Sequence, residues 1–451
     1  KLLLRAIYLS FIYFLPFVTS PLALLVPSFR DHVWYKFLTM SLGHSGAAFI
    51  KWGQWASVRP DIFPLKLCDV LSHLHSNAPK HSWKHTKQEV ERALGCSIER
   101  YFERFDREAF ASGSIAQVHF ATHNGQKLAV KVRHPNVKEQ IASDFRIMRA
   151  FGSFVDSIPG LHWLNLEASM EQFSHTIASQ TRLDVEANHL DIFNDNFRAQ
   201  RQICGFPKAV FCSESVLVET FEEGSLATHM VLPINRAKAR KSRSWWPLGS
   251  LSSLLHSCLR CFHVEEEMEE TLSSTGHFIV AKGEDMYLQM LLKDNLMHAD
   301  LHPGNILLQH NNSLHHNPKI ILLDAGMVAQ LKADEQDNFI GLLKAIGKGD
   351  GSMAADFILR FSCNQTCTSP ELVELFRQDM VRLFAEHCRG YGHGVHIGNV
   401  LRLILQTLRV HKVRVDVNYV TLVLNILCLE GLASAFQPDY NLLDGARPLL
   451  D

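Results

Sequence analysis

The apolar positions change their spacing along the chain, and the changes mark its parts. From Ala6 to Phe29 no residue is charged, and Arg5 and Arg30 flank the run. As a helix rising about 1.5 Å per residue, this run spans roughly 36 Å, enough to cross a bilayer. Pro16 and Pro21 fall inside it and would kink such a helix. A membrane-embedded or membrane-resting segment is therefore expected over 1–30, with a buried hairpin packed on the rest of the protein as the alternative. Residues 31–100 read as a helical extension. Phe37 to Val58 is apolar-rich and contains Lys51-Trp52-Gly53-Gln54, Arg59-Pro60-Asp61 breaks the pattern, and Gln88 to Leu94 resumes as a short amphipathic helix closed by Gly95.

From residue 101 to 224 the pattern is that of a small lobe with strands. Phe110 to Ala121 reads as strand, small-residue turn and strand, Asn124-Gly125 as a hairpin, and Leu128 to Val132 as the next strand. Helical pattern covers Val137 to Ile158 and Leu166 to Phe197. Val216 to Gly224 is one more buried strand running into a connector. Residues 225–275 carry a basic run, Arg236 to Arg243, then Trp245-Trp246 and an acidic run, Glu265 to Glu270, and are expected to form a flexible insertion. Residues 276–451 should form a helical lobe, with amphipathic segments at Glu335–Ile346, Met353–Phe361, Glu371–Glu386, Val400–Val410 and Val417–Phe436.

Bulk properties narrow the function classes. With 451 residues, the chain suits two or three packed units. It is 47% hydrophobic and 20% charged, so it should fold, and its net charge of −1 gives no global case for binding nucleic acid. Ten cysteines without regular spacing make no disulfide framework. The chain begins at Lys1, as a fragment or processed form would, so a targeting peptide would not be visible in it.

The candidate chemistry lies in two short motifs. His298-Ala299-Asp300-Leu301-His302-Pro303-Gly304-Asn305 is followed, after an apolar run, by Asp324-Ala325-Gly326. Protein kinases use that order and spacing: the first Asp handles the acceptor proton, and the Asn and later Asp hold Mg²⁺ against the nucleotide phosphates. Here Ala299 stands in place of Arg and Ala325 in place of Phe. Asp300 and His298 are thus assigned catalytic and supporting roles, and Asn305 and Asp324 the metal. The remaining parts come in the expected chain order. Ala111, Ser112, Gly113 and Ser114 form a small-residue turn whose N–H groups can approach phosphates. Lys131 ends an apolar strand and would reach those phosphates, with Glu186 as its acidic partner and Asp184 as the fallback. Glu219 and Phe221 belong to the adenine-edge strand. No Ala-Pro-Glu signal follows, so a segment for seating a protein substrate is not evident. Cys258 and Cys261 with His263 lack the second pair a structural zinc needs.

At these residues the chain resembles the aarF/UbiB family of atypical kinases, also called ABC1, from about Gly43 to the C-terminus. Lys51-Trp52-Gly53-Gln54 matches the family's K-x-G-Q, residues 111–119 its Ala-rich loop, and His298–Asn305 its H-[AG]-D-x-H-P-G-N. The chain is most similar to a mitochondrial member, including the Asp324-Ala325-Gly326 form of the metal motif. The resemblance implies a kinase-like fold in which Lys51 and Gln54, as regulatory residues, lie over the site where a protein substrate would sit. It also implies nucleotide binding, ATP or ADP, with Mg²⁺, a role in coenzyme Q and mitochondrial lipid homeostasis at the inner membrane, and a membrane lipid or quinone partner. Two departures stand out: Gln180 and Arg182 occupy the positions of the family's E-x-D pair, and Gly113 stands where many members have Ala.

The expectation is therefore an α+β, atypical protein-kinase-like bilobal fold with an N-terminal helical extension. The expected activity is that of an Mg²⁺-dependent kinase or ATPase rather than a conventional protein kinase. A nucleotide-sensing lipid- or quinone-binding factor and a small-molecule phosphotransferase are the alternatives.

Overall fold

The uncharged run as far as Leu25 folds as one helix, α1 (Leu2–Leu25), with both prolines inside it. Each proline lacks an N–H and so frees the carbonyl four residues earlier. Ser41 Oγ donates to Ile12 O at 3.0 Å, and Ser20 Oγ donates to Phe17 O at 2.7 Å, so both freed carbonyls are satisfied and the helix continues. In this computed structural model the described residues are 2–57, 63–71, 74, 80–158, 166–227, 276–299, 301, 303–309, 318–362, 365–437 and 440–450. After the single turn α2 (Pro27–Phe29) and a π-helical turn, Arg30–Trp34, the helix α3 (Tyr35–His44) runs back along α1. Trp34 Nε1 donates to Pro16 O at 2.8 Å and Tyr8 OH to His44 O at 3.3 Å, contacts that place the two helices antiparallel.

The hairpin is packed on the body along one face only. Leu9, Pro16 and Ala23 are buried, and Arg5 pairs at 2.7 Å with Asp144, whose side chain is fully enclosed. The opposite face leaves Leu3, Phe11, Phe17 and Leu24 between 74% and 82% exposed. By length and composition α1 could cross a membrane.

Three apolar cores organise the rest. The first joins α3, α4 (Ala47–Ser57) and α5 (Leu65–Leu71) to α8 (Val137–Asp156) and α9 (Leu166–Gln180), through Phe49, Trp55, Leu71, Phe145, Phe173 and Ile177. The second lies under an antiparallel sheet. Its strands are β1 (Arg104–Phe105), β3 (Ala116–His123), β4 (Gln126–Arg133), β7 (Val216–Thr220) and β6 (Ala209–Cys212) in that order, with β2 (Ala111–Ser112) also on β3. Asn124 and Gly125, at φ 51° and 71°, make the left-handed hairpin turn between β3 and β4. Leu128, Val130, Val132, Val216 and Val218 cover one face of the sheet with Val90 of α6 (Trp83–Leu94), Ile98 of α7 (Ile98–Tyr101) and Phe102. The cores therefore cut across the expected boundary at residue 100: α6 and α7 pack under the sheet, while α8 and α9 pack with the N-terminal helices.

The third core is the large lobe. It includes a second sheet with strand order β5 (Cys204–Gly205), β11 (Lys319–Leu322), β10 (Ile306–Gln309), β8 (Ser225–Leu226), and a two-stranded pair of β9 (Met297–His298) with β12 (Val328–Ala329). Helices Ala333–Lys348, Gly351–Leu359, Pro370–His387, Ile397–Val410, Val417–Phe436 and Leu442–Leu450 complete it. The insertion expected from residue 225 starts later, because Ser225 and Leu226 pair with Leu308 and Leu307. Gly224 makes that pairing possible: a Cβ there would stand 2.5 Å from Leu308 O. The basic run, Trp245-Trp246 and the acidic run lie outside the described residues.

One expected helix is two. The segment 166–197 breaks at Thr181 and Arg182 into α9 and α10 (Leu183–Asn196). Arg133 Nη1 donates to Thr181 O at 2.7 Å and fixes the break. Leu183, Ala187, Leu190 and Phe193 anchor α10 in the large-lobe core, which leaves Glu186 facing the small-lobe sheet. The architecture is α+β and kinase-like, two lobes with an N-terminal helical region.

Candidate functional site

Strand alternation builds the centre of the site. In the β4–β7 register Ala129 faces Glu219 and Lys131 faces Leu217, so these four side chains share one face of the sheet. That face is turned towards α10. Lys131 Nζ lies 2.6 Å from Glu186 Oε1 and 3.1 Å from Glu219 Oε1, and donates to Leu323 O at 3.3 Å. Asp184, the fallback partner, is instead held by Arg182 at 2.6 Å. Glu219 was expected at the adenine edge. Its carboxylate turns inward to Lys131 because its register position is on the same face, and Oε2 is buried with no hydrogen-bond partner.

Burial by itself would depress the Lys131 ammonium, but Glu186, Glu219 and Asp324 outweigh it and hold its pKa above the ordinary value. Burial raises both glutamates against the pull of Lys131, Glu219 up to about 8. Asp324 behaves oppositely: burial raises it, but Lys131, the Gly326 N–H, His298 and Lys51 together hold it below the usual carboxylate range.

The metal motif is placed by sheet register. Ile306 pairs with Leu322 across β10 and β11, and Leu323 N donates to Asn305 O at 2.9 Å, so Asn305 stands beside the residue that precedes Asp324. Asp324 Oδ1 accepts from Gly326 N at 2.7 Å. His298, fully buried on β9, donates through Nε2 to Asp324 O, and its own carbonyl accepts from Asn425 Nδ2 at 2.8 Å. This donor to a carbonyl requires the Nε2–H tautomer or the cation. Asp300 and His302 lie outside the described residues.

The small-residue turn follows β2 on the same sheet, where Ala111 and Ser112 pair with Val118 and Gln117 of β3. Gly113 N donates to Ala116 O at 2.9 Å, and His134 Nε2 donates to Gly113 O at 3.0 Å from behind. Among the described residues Ser112 Oγ has no hydrogen-bond partner, and Ser114 is buried. Phe221 packs edge-on against Phe110 and Phe120, at 5.8 and 5.3 Å between ring centroids, so its ring supports the turn. On α4, Lys51 lies close enough to Asp324 to lower its pKa, and Gln54 Nε2 donates to Leu74 O at 3.1 Å. Of the E-x-D positions, Arg182 pairs with Asp184, and Gln180 Oε1 is buried without a hydrogen bond.

The donor set fits a hard divalent cation bound together with phosphate. Asp324 and Asn305 offer oxygens, and among the described residues no group of three or more His, Cys, Asp and Glu could hold an ion unaided. Mg²⁺ is ordinarily held by one or two protein oxygens with phosphate and water completing its shell. The unpartnered Glu219 Oε2 and Ser112 Oγ are further polar atoms of the kind a nucleotide satisfies. One contact was not foreseen: His189, one turn beyond Glu186 on α10, donates through Nδ1 to Ala325 O at 2.9 Å. The spacing i, i+3 from Glu186 was the signal that could have found it.

Known proteins similar to this chain point to one family. The ABC1 atypical kinase-like domain matches residues 73–357. The probable serine/threonine-protein kinase abkC of Dictyostelium discoideum is 31% identical over all of this chain and 69% of its own length. The mitochondrial ABC1 family protein YPL109C of Saccharomyces cerevisiae is 28% identical over 93% of this chain and 68% of its own. Among solved structures, the Rv3197–erythromycin complex from Mycobacterium tuberculosis covers 88% of this chain and 92% of its own, at 16% identity and a TM-score of 0.43. With its domain pattern matched and a 31% identical relative aligned over the whole of this chain, the chain belongs to the ABC1 family of atypical kinases.

Proposed function

We propose that this chain binds ATP or ADP with Mg²⁺ and works as an atypical kinase or ATPase in coenzyme Q and mitochondrial lipid metabolism, rather than as a conventional protein kinase. The observation that carries the reading is the convergence of Lys131, Glu186 and Asp324, with Asn305 beside the metal motif. Mg²⁺, when bound, would neutralise phosphate charge between Asn305 and Asp324. Lys131 would bind the phosphates, Glu186 would orient Lys131, His298 would hold the metal motif in place, and Asp300 would position the acceptor or water. The Ala111–Ser114 turn would cover the phosphates, and Lys51 and Gln54 would occupy the place of a protein substrate. Two relatives from yeasts carry mitochondrial names, and others are named UbiB, which supports that compartment and pathway.

The exposed face of α1 favours a lipid or quinone partner at the inner membrane, so a nucleotide-sensing lipid-binding factor is the second reading. A small-molecule phosphotransferase is the third. In a thermal-shift titration, Mg-ATP should stabilise the wild type and leave Asp324→Asn unmoved; an equal shift in both would overturn the site. Phosphate release in the presence of vesicles, lost in Asp300→Asn, separates the enzyme from the sensor.

A further inference from the structure

Three successive carbonyls of the metal motif are each held by a side chain from a different element. Lys131 of β4 donates to Leu323 O, His298 of β9 to Asp324 O, and His189 of α10 to Ala325 O. The same helix also approaches the preceding peptide, since the Ala325 N–H lies close enough to the Glu186 carboxylate to pull its pKa down against burial. Glu186 and His189 are one turn apart and bracket a single buried alanine. In protein kinases a Phe stands at this position, and its packing sets the active or inactive state of the motif. Ala325 has no ring to pack; its methyl lies in the large-lobe core with residues of α10, and the backbone contact with His189 adds to that hold.

We infer that His189 is a positioning residue that latches the Asp324-Ala325-Gly326 motif to α10, doing by a hydrogen bond what a phenyl ring does by packing. Glu186 couples the same helix to Lys131, so α10 sets the position of the phosphate-binding lysine and of the metal carboxylate together. A displacement of α10 would then withdraw both at once. The naming of Asp324 as the metal carboxylate rests on the function proposed above; the latch itself is a property of the ligand-free fold.

The test is amide hydrogen exchange on the full chain without ligand, read over residues 325–328, in wild type, His189→Ala and His189→Asn. An Asn amide nitrogen can take the place of imidazole Nδ1 and still donate. Losing a hydrogen bond to a buried carbonyl should speed local opening by about tenfold or more in His189→Ala, while His189→Asn stays near wild type. His189→Gln keeps the bulk but carries its donor one bond too far, so it should exchange fast even if the alanine variant does not fold. Wild-type exchange in His189→Gln, or exchange in His189→Asn as fast as in His189→Gln, would overturn the latch. With the latch lost, the Mg²⁺ concentration for half-maximal ATP binding should rise about tenfold, with nucleotide binding without metal unchanged. Absence of Mg-ATP binding by wild type would count against the proposed function and leave the exchange result standing.

Discussion

Glu219 Oε1 lies 3.1 Å from Lys131 Nζ, the same nitrogen that meets Glu186 Oε1 at 2.6 Å. One ammonium therefore serves two buried carboxylates, with Asp324 as a third acid close by. Removing the ammonium leaves the Glu186 and Glu219 carboxyls buried without the cation that both of them contact. Lys131→Met should cost about 3–5 kcal/mol of stability, the usual penalty for breaking a buried pair. Glu219→Gln in the same chain should recover part of that loss. Denaturant unfolding of both singles and the double measures it; strictly additive effects would mean that the two residues do not interact.

A second buried acid sets a pH dependence. Glu284 accepts from Tyr440 OH through Oε2, and its Oε1 has no partner. Burial pushes its carboxyl up to about 8 from 4.5, against the hydrogen bond from Tyr440. The folded chain thus holds a proton there that the unfolded chain has lost. The resulting stability is full below about 4.5 and is lost as pH rises through about 8. Glu219 acts in the same sense. Melting temperature should fall from pH 5 to pH 8.5 in wild type and fall less in Glu284→Gln, a difference on the order of a few kcal/mol. Parallel curves for the two proteins would remove Glu284 from this account.

Two glycines near the site should respond oppositely to alanine. At Gly113 a Cβ would meet nothing nearer than Ala116 O at 3.7 Å, an ordinary contact. Gly113→Ala should therefore gain about 0.4–1 kcal/mol by restricting the unfolded chain. At Gly224 a Cβ would meet Leu308 O at 2.5 Å, and a backbone atom cannot swing aside. Gly224→Ala should cost about 1–3 kcal/mol and loosen β8 from β10. Chemical denaturation of both variants decides the matter, and a destabilised Gly113→Ala would show that the turn has no room for a Cβ.

The uncovered face of α1 predicts lipid binding. Phe11→Glu with Phe17→Glu places two charges where the side chains are 82% and 78% exposed. Flotation with vesicles should be lost while the melting temperature stays within about 2 °C of wild type, because both rings are largely exposed. Retained flotation would move the lipid contact elsewhere.

Much of the site was legible because its parts keep a spacing. Lys131, Asn305 and Asp324 stand at motif positions, and Glu186 follows on the next suitable helix. The role of Glu219 was within reach, since strand alternation puts it on the face of Lys131, but a strand read only for its adenine edge hid it. The break at Thr181 and Arg182 was not legible. No Gly or Pro marks it, and its cause is Arg133, 48 residues away in sequence. The regrouping of α6 and α7 under the sheet was equally hidden, because an amphipathic helix shows which face is buried and not what buries it. The hold of His189 on Ala325 O was legible only in part: the spacing i, i+3 from Glu186 puts His189 on the same face of α10, but its acceptor is a backbone group that no side-chain pattern shows.

The two freed carbonyls of α1 are satisfied in different ways, and this limits how the helix can meet a bilayer. Phe17 O is met by Ser20, a residue of α1 itself, and would stay satisfied wherever the helix went. Ile12 O is met by Ser41, and Trp34 binds Pro16 O, both from the returning arm of the hairpin. A solitary α1 drawn into hydrocarbon would strand the Ile12 carbonyl, at a cost of several kcal/mol. In the proposed lipid contact the helix would therefore meet the bilayer with its outer side while its inner side stays attached to the protein, as the floor of the molecule rather than as a detachable anchor.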